Sequence, residues 1–220
     1  MVILGAGFDT RAYRVRGIGA THVYELDTPP VLTLKVRRVE RALGGVPGHV
    51  TALRLDLEHQ GVRQTLEGAG LRRYRRSFFI WEGATQCVTG QAVDATLLTV
   101  VGLAAPGSGI AFTYIWQGII DGSARPPVDE RVVATARRMG FPWIFGLEPV
   151  QIPGHLAARG LRRIEDVGAS VYRRRYLEPH GRRMTLFEGE RVVLARVVAA
   201  ARESSGQEAT SAPVQAALGF

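Results

Sequence analysis

Short runs of apolar residues alternate along the chain with stretches in which apolar residues recur at helical spacing. The apolar runs predict seven strands, at 1–4, 22–26, 50–55, 77–81, 108–115, 162–167 and 190–198. Helical or polar stretches separate these runs, which is typical of an α/β fold because parallel strands need long crossover connections. The pattern therefore predicts a largely parallel sheet with helices on both faces.

Four helices are predicted between these strands. The first has Thr28 as its N-cap and Pro29 in its first turn, and it ends at Gly44 and Gly45. The other three span 89–104, 127–139 and 150–159. Residues 201–220 are rich in Ser, Ala, Gly and Gln and are predicted to be a disordered tail. The sequence thus predicts one folded domain over 1–200 followed by that tail.

Composition narrows the classes of protein that the chain can represent. It has 220 residues, 46% of them hydrophobic, and a single cysteine, Cys87, which excludes a disulfide framework and a cysteine-rich zinc site. No metal is expected, and Cys87 is interpreted as a small core residue. There is no apolar run long enough to cross a membrane and no signal peptide at Met1. We therefore expect a cytoplasmic protein without a membrane partner.

The basic charge balance raises the question of nucleic-acid binding. The chain has 28 basic and 20 acidic residues, a net charge of +8, and Lys35 is its one lysine. Phosphate-binding surfaces usually mix lysine with arginine, and single-strand binders place aromatic residues along the path of the bases. The arginine clusters at 72–76 and 173–175 have no such aromatic ladder. They favour a solvated surface, or attraction of an anionic small molecule, over a nucleic-acid partner.

The first strand runs into a glycine-containing turn. Gly5 and Gly7 would let the backbone approach a ligand closely. The dinucleotide pattern would place a third glycine at position 10, where Thr10 stands, and this disfavours a diphosphate ligand. Asp9 adds a negative charge beside the turn and favours a cationic or zwitterionic ligand.

An acidic residue follows at the tip of the second strand. Asp27 lies 20 residues after Gly7, where a carboxylate can accept both hydroxyls of a ribose. The glycine turn and this carboxylate together indicate a nucleoside site. The alternative is structural: a tight turn at the glycines, with Asp27 capping the next helix.

Four segments in order carry a resemblance to a known family: LGAGFDTR at 4–11, YELD at 24–27, LDL at 55–57 and WEGAT at 81–85. They resemble the leucine carboxyl methyltransferase family of class I S-adenosylmethionine-dependent methyltransferases, in particular its bacterial branch of small-molecule O-methyltransferases. The resemblance extends over about residues 1–198. It implies a Rossmann-like sheet, mostly parallel with a C-terminal antiparallel strand, S-adenosyl-L-methionine as cofactor, and a small-molecule acceptor.

The resemblance also assigns roles to residues. The glycine turn would hold the methionine part of the cofactor, Asp27 the ribose with Glu25 as a substitute, the Asp56-Leu57 pair the adenine, and Glu82 the ammonium. Asp56 could instead be a helix N-terminal charge, and Glu82 an ordinary surface carboxylate. The implied cofactor-binding residues are Gly5, Ala6, Gly7, Asp27, Asp56, Leu57 and Glu82.

No catalytic residue is assigned. A carboxylate acceptor is already ionised and needs no base, whereas a hydroxyl acceptor would need one, and none of the five histidines lies in a motif typical of a base. Family members carry a helical cap before the first strand, and this chain starts at that strand. We therefore expect weak cofactor binding and little turnover. Two alternatives stay open: a catalytically inactive or truncated Rossmann-like domain with a binding role only, and a nucleotide-dependent oxidoreductase.

Overall fold

A computed structural model describes residues 1–59, 61–124, 129–140 and 143–199. All seven predicted strands are present in it, and each bound lies within one residue of the prediction. The strands are β1 Val2–Leu4, β2 Val23–Asp27, β3 Val50–Arg54, β4 Phe78–Trp81, β5 Gly109–Ile115, β6 Leu161–Val167 and β7 Glu190–Val197.

These strands form one sheet in the order β3-β2-β1-β4-β5-β7-β6. Strands β1 to β5 pair in parallel, and β7 runs antiparallel to both of its neighbours, β5 and β6. The predicted fold class is therefore confirmed. In this register Leu4 at the end of β1 pairs with Leu26 and Trp81, so β1, β2 and β4 end together at one edge of the sheet. Ligands of open α/β sheets bind at that edge.

Helices surround the sheet. Two of the predicted helices agree closely with the structure, at 29–43 and 90–103, whereas the one predicted at 150–159 begins with a 3₁₀ turn, Pro149–Gln151, and ends earlier. Residues 127 and 128, where another was predicted to begin, lie outside the described residues. The α-helices are α1 Arg11–Arg14, α2 Pro29–Leu43, α3 Val62–Gly68, α4 Gly90–Leu103, α5 Gln117–Asp121, α6 Asp129–Arg138, α7 Ile152–Ala157 and α8 Ala169–Tyr172.

Shorter helical turns complete the described chain. Four are 3₁₀ turns, at Ile18–Ala20, Thr85–Cys87, Pro149–Gln151 and Glu178–His180, and Arg173–Leu177 is a π-helical turn after α8. The predicted tail at 201–220 lies outside the described residues, so its disorder stays a prediction.

The helix caps agree with the prediction in part. Pro29 occupies the first turn of α2, and Gly44 ends the helix with a φ of 78°. Thr28 stands at the N-cap position, but its side chain accepts no capping hydrogen bond. Its backbone N–H and its hydroxyl both donate to the Asp27 carboxylate. Thr89 is a true side-chain cap, because its hydroxyl accepts from the backbone N–H of Ala92.

The core lies on both faces of the sheet, which explains why the strands are almost continuously apolar. Side chains such as Leu4, Trp81 and Phe112 pack into the larger cluster, and Ile3 and Val23 into the smaller one. In the described part of the chain, no helix has the length and apolar character that crossing a membrane requires.

The interpretation of Cys87 as a core residue is wrong. Cys87 is exposed at the end of its 3₁₀ turn, whereas the preceding Thr85 and Gln86 are buried. The turn therefore faces its first two side chains inward and the third outward. Partial desolvation still raises the pKa of the Cys87 thiol, which keeps it protonated at neutral pH.

Candidate functional site

The turn after β1 has a backbone conformation that favours glycine. Gly5 and Gly7 have φ angles of 62° and 39°, in the left-handed region that residues with a Cβ rarely adopt. A Cβ on Gly5 would lie 2.8 Å from the Cβ of Ala84, so side-chain bulk is excluded there on steric grounds as well. The backbone N–H of Ala6 donates to the carbonyl of Leu26 at 2.8 Å and fixes the turn against β2.

Asp27 lies directly beside this turn. Its Oδ2 accepts a hydrogen bond of 2.6 Å from the backbone N–H of Gly7, and its Oδ1 accepts one of 2.7 Å from the N–H of Thr28. The carboxylate is partly buried. A spacing of 20 residues in the sequence thus becomes a direct contact between the glycine turn and the carboxylate.

A cleft of about 450 Å³ opens next to the turn and carries charges of both signs. Arg11 lies between two carboxylates, with nitrogen–oxygen distances of 2.7 Å to both Asp9 and Glu82. Desolvation acts to lower the pKa of Arg11, but the hydrogen bonds and charges of Asp9 and Glu82 outweigh it and raise that pKa. The lining also includes Arg14, so two guanidinium groups and two carboxylates face one space.

Glu82 and Gly83 follow β4 and form the far side of this cleft. The backbone N–H of Gly83 donates to the hydroxyl oxygen of Thr113 at 2.8 Å, and the Thr85 hydroxyl donates to the Thr113 carbonyl at 2.6 Å. These two bonds attach the segment after β4 to β5. Half of the Glu82 side chain remains exposed, and Glu82 and Arg11 both line the cleft.

Asp56 and Leu57 lie further along the same edge of the sheet. The backbone N–H of Leu55 donates to the carbonyl of Asp27, which joins the ends of β3 and β2. The half-exposed Asp56 carboxylate accepts from the N–H of Glu58 and lies 3.3 Å from the His59 ring. Leu57 packs against the core. The structure thus brings the glycine turn and Glu82 together around one cleft. Asp27 contacts this turn through Gly7 but is not among the lining residues of the cleft, and neither are Asp56 and Leu57.

Glu25, the alternative ribose ligand, is engaged elsewhere. It is 1% exposed, one carboxylate oxygen lies 2.8 Å from the Lys35 ammonium, and the other accepts from the Tyr13 hydroxyl at 2.6 Å. These contacts disfavour a ribose role for Glu25. Sequence reasoning missed this buried cluster, although the presence of a single lysine among so many arginines was a signal for it.

A second cleft, of about 620 Å³, shares Gly83 with the first. Its other walls come from the turn before α4, from α6 and from residues that follow α6. Arg131 is the charged residue among the described lining residues, and no histidine is among them. The lining is mainly apolar and includes Cys87, Val132, Ala136, Met139 and Trp143.

Comparison with solved structures identifies the class of fold. An S-adenosylmethionine-dependent methyltransferase from Mesorhizobium loti matches with a TM-score of 0.58 and 20% identity, over 89% of each chain. An O-methyltransferase family protein from Burkholderia thailandensis matches with a TM-score of 0.58 and 13% identity, over 90% of this chain and 50% of the other. Magnesium protoporphyrin IX methyltransferase from Synechocystis, solved with bound SAH, gives 0.54 and 13% over 89% and 72%. The chain has the Rossmann-like fold of class I methyltransferases.

The family resemblance is confirmed by sequence comparison. The model of the family Leucine carboxyl methyltransferase matches residues 1–101, a range that contains all four motifs. A protein of Mycolicibacterium gilvum named "Putative S-adenosyl-L-methionine-dependent methyltransferase" is 37% identical over 122 residues, which are 55% of this chain and 39% of the relative. A protein of the same name from Mycobacterium sp. (strain KMS) is 32% identical over 175 residues, 73% and 54% of the two chains. The chain spans about half the length of such relatives.

Proposed function

We propose that this chain is the cofactor-binding and catalytic domain of an S-adenosyl-L-methionine-dependent O-methyltransferase that acts on a small, largely apolar carboxylic acid. The observation that carries the proposal is the direct contact between Asp27 and the glycine turn, beside a cleft with charges of both signs. The relatives' names and the family match support the same activity class.

The residues of the first cleft fit the chemistry of the cofactor. The methionine part of S-adenosylmethionine is a zwitterion, and the cleft offers the carboxylates of Asp9 and Glu82 and the guanidinium groups of Arg11 and Arg14. We assign the ammonium to Glu82, the turn at 5–7 to the methionine backbone, and the ribose hydroxyls to Asp27. In this assignment the two ribose hydroxyls add to, or displace, the hydrogen bonds that Gly7 and Thr28 now donate to Asp27.

The assignment of the adenine to Asp56 and Leu57 is part of the same proposal. Both residues follow β3, the next strand along the sheet edge from Asp27. A nucleoside whose ribose lies on Asp27 would extend its base toward that neighbouring strand end. Asp56 could then accept from the exocyclic amine, and the partly buried Leu57 would offer an apolar surface to the ring.

The second cleft supports an apolar acceptor. It adjoins the first at Gly83, so a molecule bound in it would meet the methyl group at the end of β4. Its walls include Met139 and Trp143, and Arg131 can pair with an anion. The absence of histidine from the described lining supports a carboxylate acceptor over a hydroxyl, because an ionised carboxylate needs no general base.

The chemistry required of the protein is alignment and desolvation. When bound, the cofactor supplies an electrophilic methyl group on a sulfonium. The chain's own residues hold the two reactants in line, and the apolar lining excludes water from the acceptor oxygen, which strengthens its nucleophilicity. In this scheme Arg131 orients the acceptor, and Gly83, which lines both clefts, marks where the acceptor meets the methyl group.

Calorimetry with S-adenosylhomocysteine tests the proposal. We expect weak but saturable binding to the 220-residue chain and no binding of NAD. Asp27→Ala should weaken S-adenosylhomocysteine binding about tenfold or more, because hydrogen bonds to a charged group contribute roughly 1.5–3 kcal/mol each. Asp27→Asn should have a milder effect, since its amide oxygen can still accept.

Asp121→Ala is the matched control. Asp121 also accepts a backbone N–H bond, from Ser123 two residues ahead, but it lies at the end of α5. This variant should leave the affinity unchanged. Unaltered binding by Asp27→Ala would overturn the ribose assignment. Methyl transfer to an apolar carboxylic acid, even if slow, would overturn the binding-only alternative.

A further inference from the structure

The single lysine of the chain is buried beneath the glycine turn. Lys35 is 3% exposed, although it is one of 28 basic residues in a protein whose arginines are mostly at the surface. Its ammonium lies 2.8 Å from Glu25 Oε1 and 3.1 Å from the carbonyl oxygen of Ala6. The other oxygen of Glu25 accepts from the Tyr13 hydroxyl. We refer to Tyr13, Glu25 and Lys35 as the lysine cluster.

The chemistry of this site requires lysine in particular. An ammonium is a compact charge that can donate in three directions, so it can contact a carboxylate and a carbonyl at once within a small space. Guanidinium is larger and planar, which suits the solvent-facing positions that arginine occupies elsewhere. A buried ion pair is by itself weak support for stability, because apolar residues of similar volume often replace it at no cost. The contact with Ala6 suggests a role other than stability.

That contact fixes the orientation of one peptide unit. The carbonyl of Ala6 and the N–H of Gly7 belong to the same planar trans peptide, so they point in opposite directions. The carbonyl faces the Lys35 ammonium and also accepts from the N–H of Asp9 at 2.9 Å. The N–H of Gly7 therefore faces the other way, where Asp27 accepts it at 2.6 Å. Two donors, the Lys35 ammonium and the N–H of Asp9, thus hold the carbonyl side of this peptide, and Lys35 is the one that comes from outside the turn.

We propose that Lys35 is a positioning residue that orients the Asp27 carboxylate through the Ala6–Gly7 peptide. This inference rests on the proposed function only in that Asp27 is there a ribose ligand. The lysine cluster holds the carbonyl side of the peptide, the N–H side holds Asp27, and neither Lys35 nor Glu25 touches the nucleoside.

The first test needs no ligand. In the paired variant Lys35→Met/Glu25→Gln both charges are removed together, and the amide oxygen that replaces the carboxylate can still accept from Tyr13. We expect the amide proton of Gly7, which in the wild type is a short, charge-assisted donor, to move upfield in the NMR spectrum and to exchange faster with solvent. If this pair does not fold, Lys35→Gln/Glu25→Gln replaces it, because a glutamine side chain is shorter than lysine and carries no charge toward Ala6.

Two control variants separate the Ala6 contact from loss of a buried charge. Tyr13→Phe keeps both charges of the buried ion pair and the ammonium beside Ala6, and it should leave the Gly7 amide signal close to the wild type. Arg191→Met/Asp166→Asn removes another ion pair, with a nitrogen–oxygen distance of 3.0 Å, that joins β6 and β7 far from the turn. It too should leave the Gly7 amide unchanged.

The second test measures S-adenosylhomocysteine binding. The Lys35→Met/Glu25→Gln variant should bind about tenfold more weakly than the wild type. In an Asp27→Ala background the same pair should cause little further loss, because two residues that act through one contact are not additive. A role in general stability would instead give additive losses.

The outcomes distinguish this inference from the proposed function. An unchanged Gly7 amide in the paired variant overturns the positioning role, whether or not the ligand binds. Additive losses in the cycle overturn it as well. Absence of S-adenosylhomocysteine binding to the wild type overturns the proposed function alone, since the amide measurement stands without it.

Discussion

The two ends of the sheet each contain a tyrosine hydroxyl, a carboxylate and a cation in contact. At the β3–β2–β1 end these are the lysine cluster, whose ammonium bonds to the carbonyl of Ala6. At the β5–β7–β6 end they are Tyr114, Asp166 and Arg191, with Arg191 Nε 3.0 Å from both the tyrosine oxygen and the carboxylate. The same three groups therefore occur twice, in different surroundings.

The difference lies in what the cation contacts beyond its carboxylate. Arg191 reaches the backbone carbonyl of Asp166, and the three members of its cluster come from β5, β6 and β7, so the cluster connects three strands at the edge of the sheet. The ammonium of Lys35 reaches instead into a turn with positive φ angles. Chemically similar clusters can thus serve to join strands in one place and to orient a peptide in another. Mutations at the β5–β7–β6 end should lower stability and leave ligand binding unchanged. Mutations of the lysine cluster should instead weaken ligand binding.

The largest expected effect is at the strand-joining end. Arg191→Met would leave the Asp166 carboxylate, only 5% exposed, without its cation. Breaking one partner of a buried pair costs about 3–5 kcal/mol, so we expect the free energy of unfolding in urea to fall by about that amount. S-adenosylhomocysteine affinity of the folded variant should stay at the wild-type value. A marked loss of affinity would show that the two ends are coupled and would break the comparison.

The next largest effect is on stability, and it differs between the two glycines of the turn. In Gly5→Ala the new Cβ overlaps Ala84 and the φ is unfavourable, so we expect a loss of about 3 kcal/mol. In Gly7→Ala only the φ is unfavourable, because the nearest atom to the new Cβ is 3.9 Å away, and we expect about 1 kcal/mol. Urea denaturation of both variants measures the difference. Equal losses would mean that Ala84 yields to the new side chain.

A bulkier residue at the second glycine separates binding from folding. In Gly7→Val the side chain would occupy space that the ligand needs, since Gly7 lines the cleft beside the turn. We expect S-adenosylhomocysteine binding to be abolished while the circular dichroism spectrum stays near that of the wild type. Normal binding by this variant would place the nucleoside site elsewhere.

The strands and the two long helices could be predicted because burial determines them locally. Strands covered on both faces are continuous apolar runs, and α2 ends at a glycine, which the sequence shows directly. The short helices α1, α3, α5 and α8 were missed, since four to seven residues are too few to display a helical period. The orientation of Cys87 was mispredicted for a related reason: a single 3₁₀ turn has no pattern that distinguishes its inward from its outward side.

The candidate site also has a part that could be predicted from the sequence and a part that could not. The glycine turn and Asp27 follow from strand ends and spacing, which the sequence displays directly. The lysine cluster does not, because positions 13, 25 and 35 lie on three different elements and only the folded chain shows which charges meet. The ion pairs of Arg11 are equally invisible in sequence, although Asp9 and Glu82 were each noticed alone.

The smallest expected effect is on the pH dependence of stability, and it comes from the carboxylate of Glu190 at the start of β7. Burial raises the pKa of Glu190, a hydrogen bond with Thr113 partly opposes this, and the negative charge of Glu82 adds to it. Because the folded-state pKa lies above the ordinary value of 4.5, the native state holds this proton over a pH range in which the unfolded chain has lost it. The stability that Glu190 contributes is therefore complete below pH 4.5 and is lost as the pH rises through the folded-state pKa.

Glu190→Gln should remove this dependence, so in urea denaturation the wild type should gain stability relative to the variant as the pH falls from neutral toward 4.5. In a Glu82→Gln background the gain should be smaller, because the charge of Glu82 no longer raises the pKa of Glu190. Parallel stability curves for the wild type and Glu190→Gln would show that this carboxylate is solvated, and that it does not connect the turn electrostatically with the antiparallel end of the sheet.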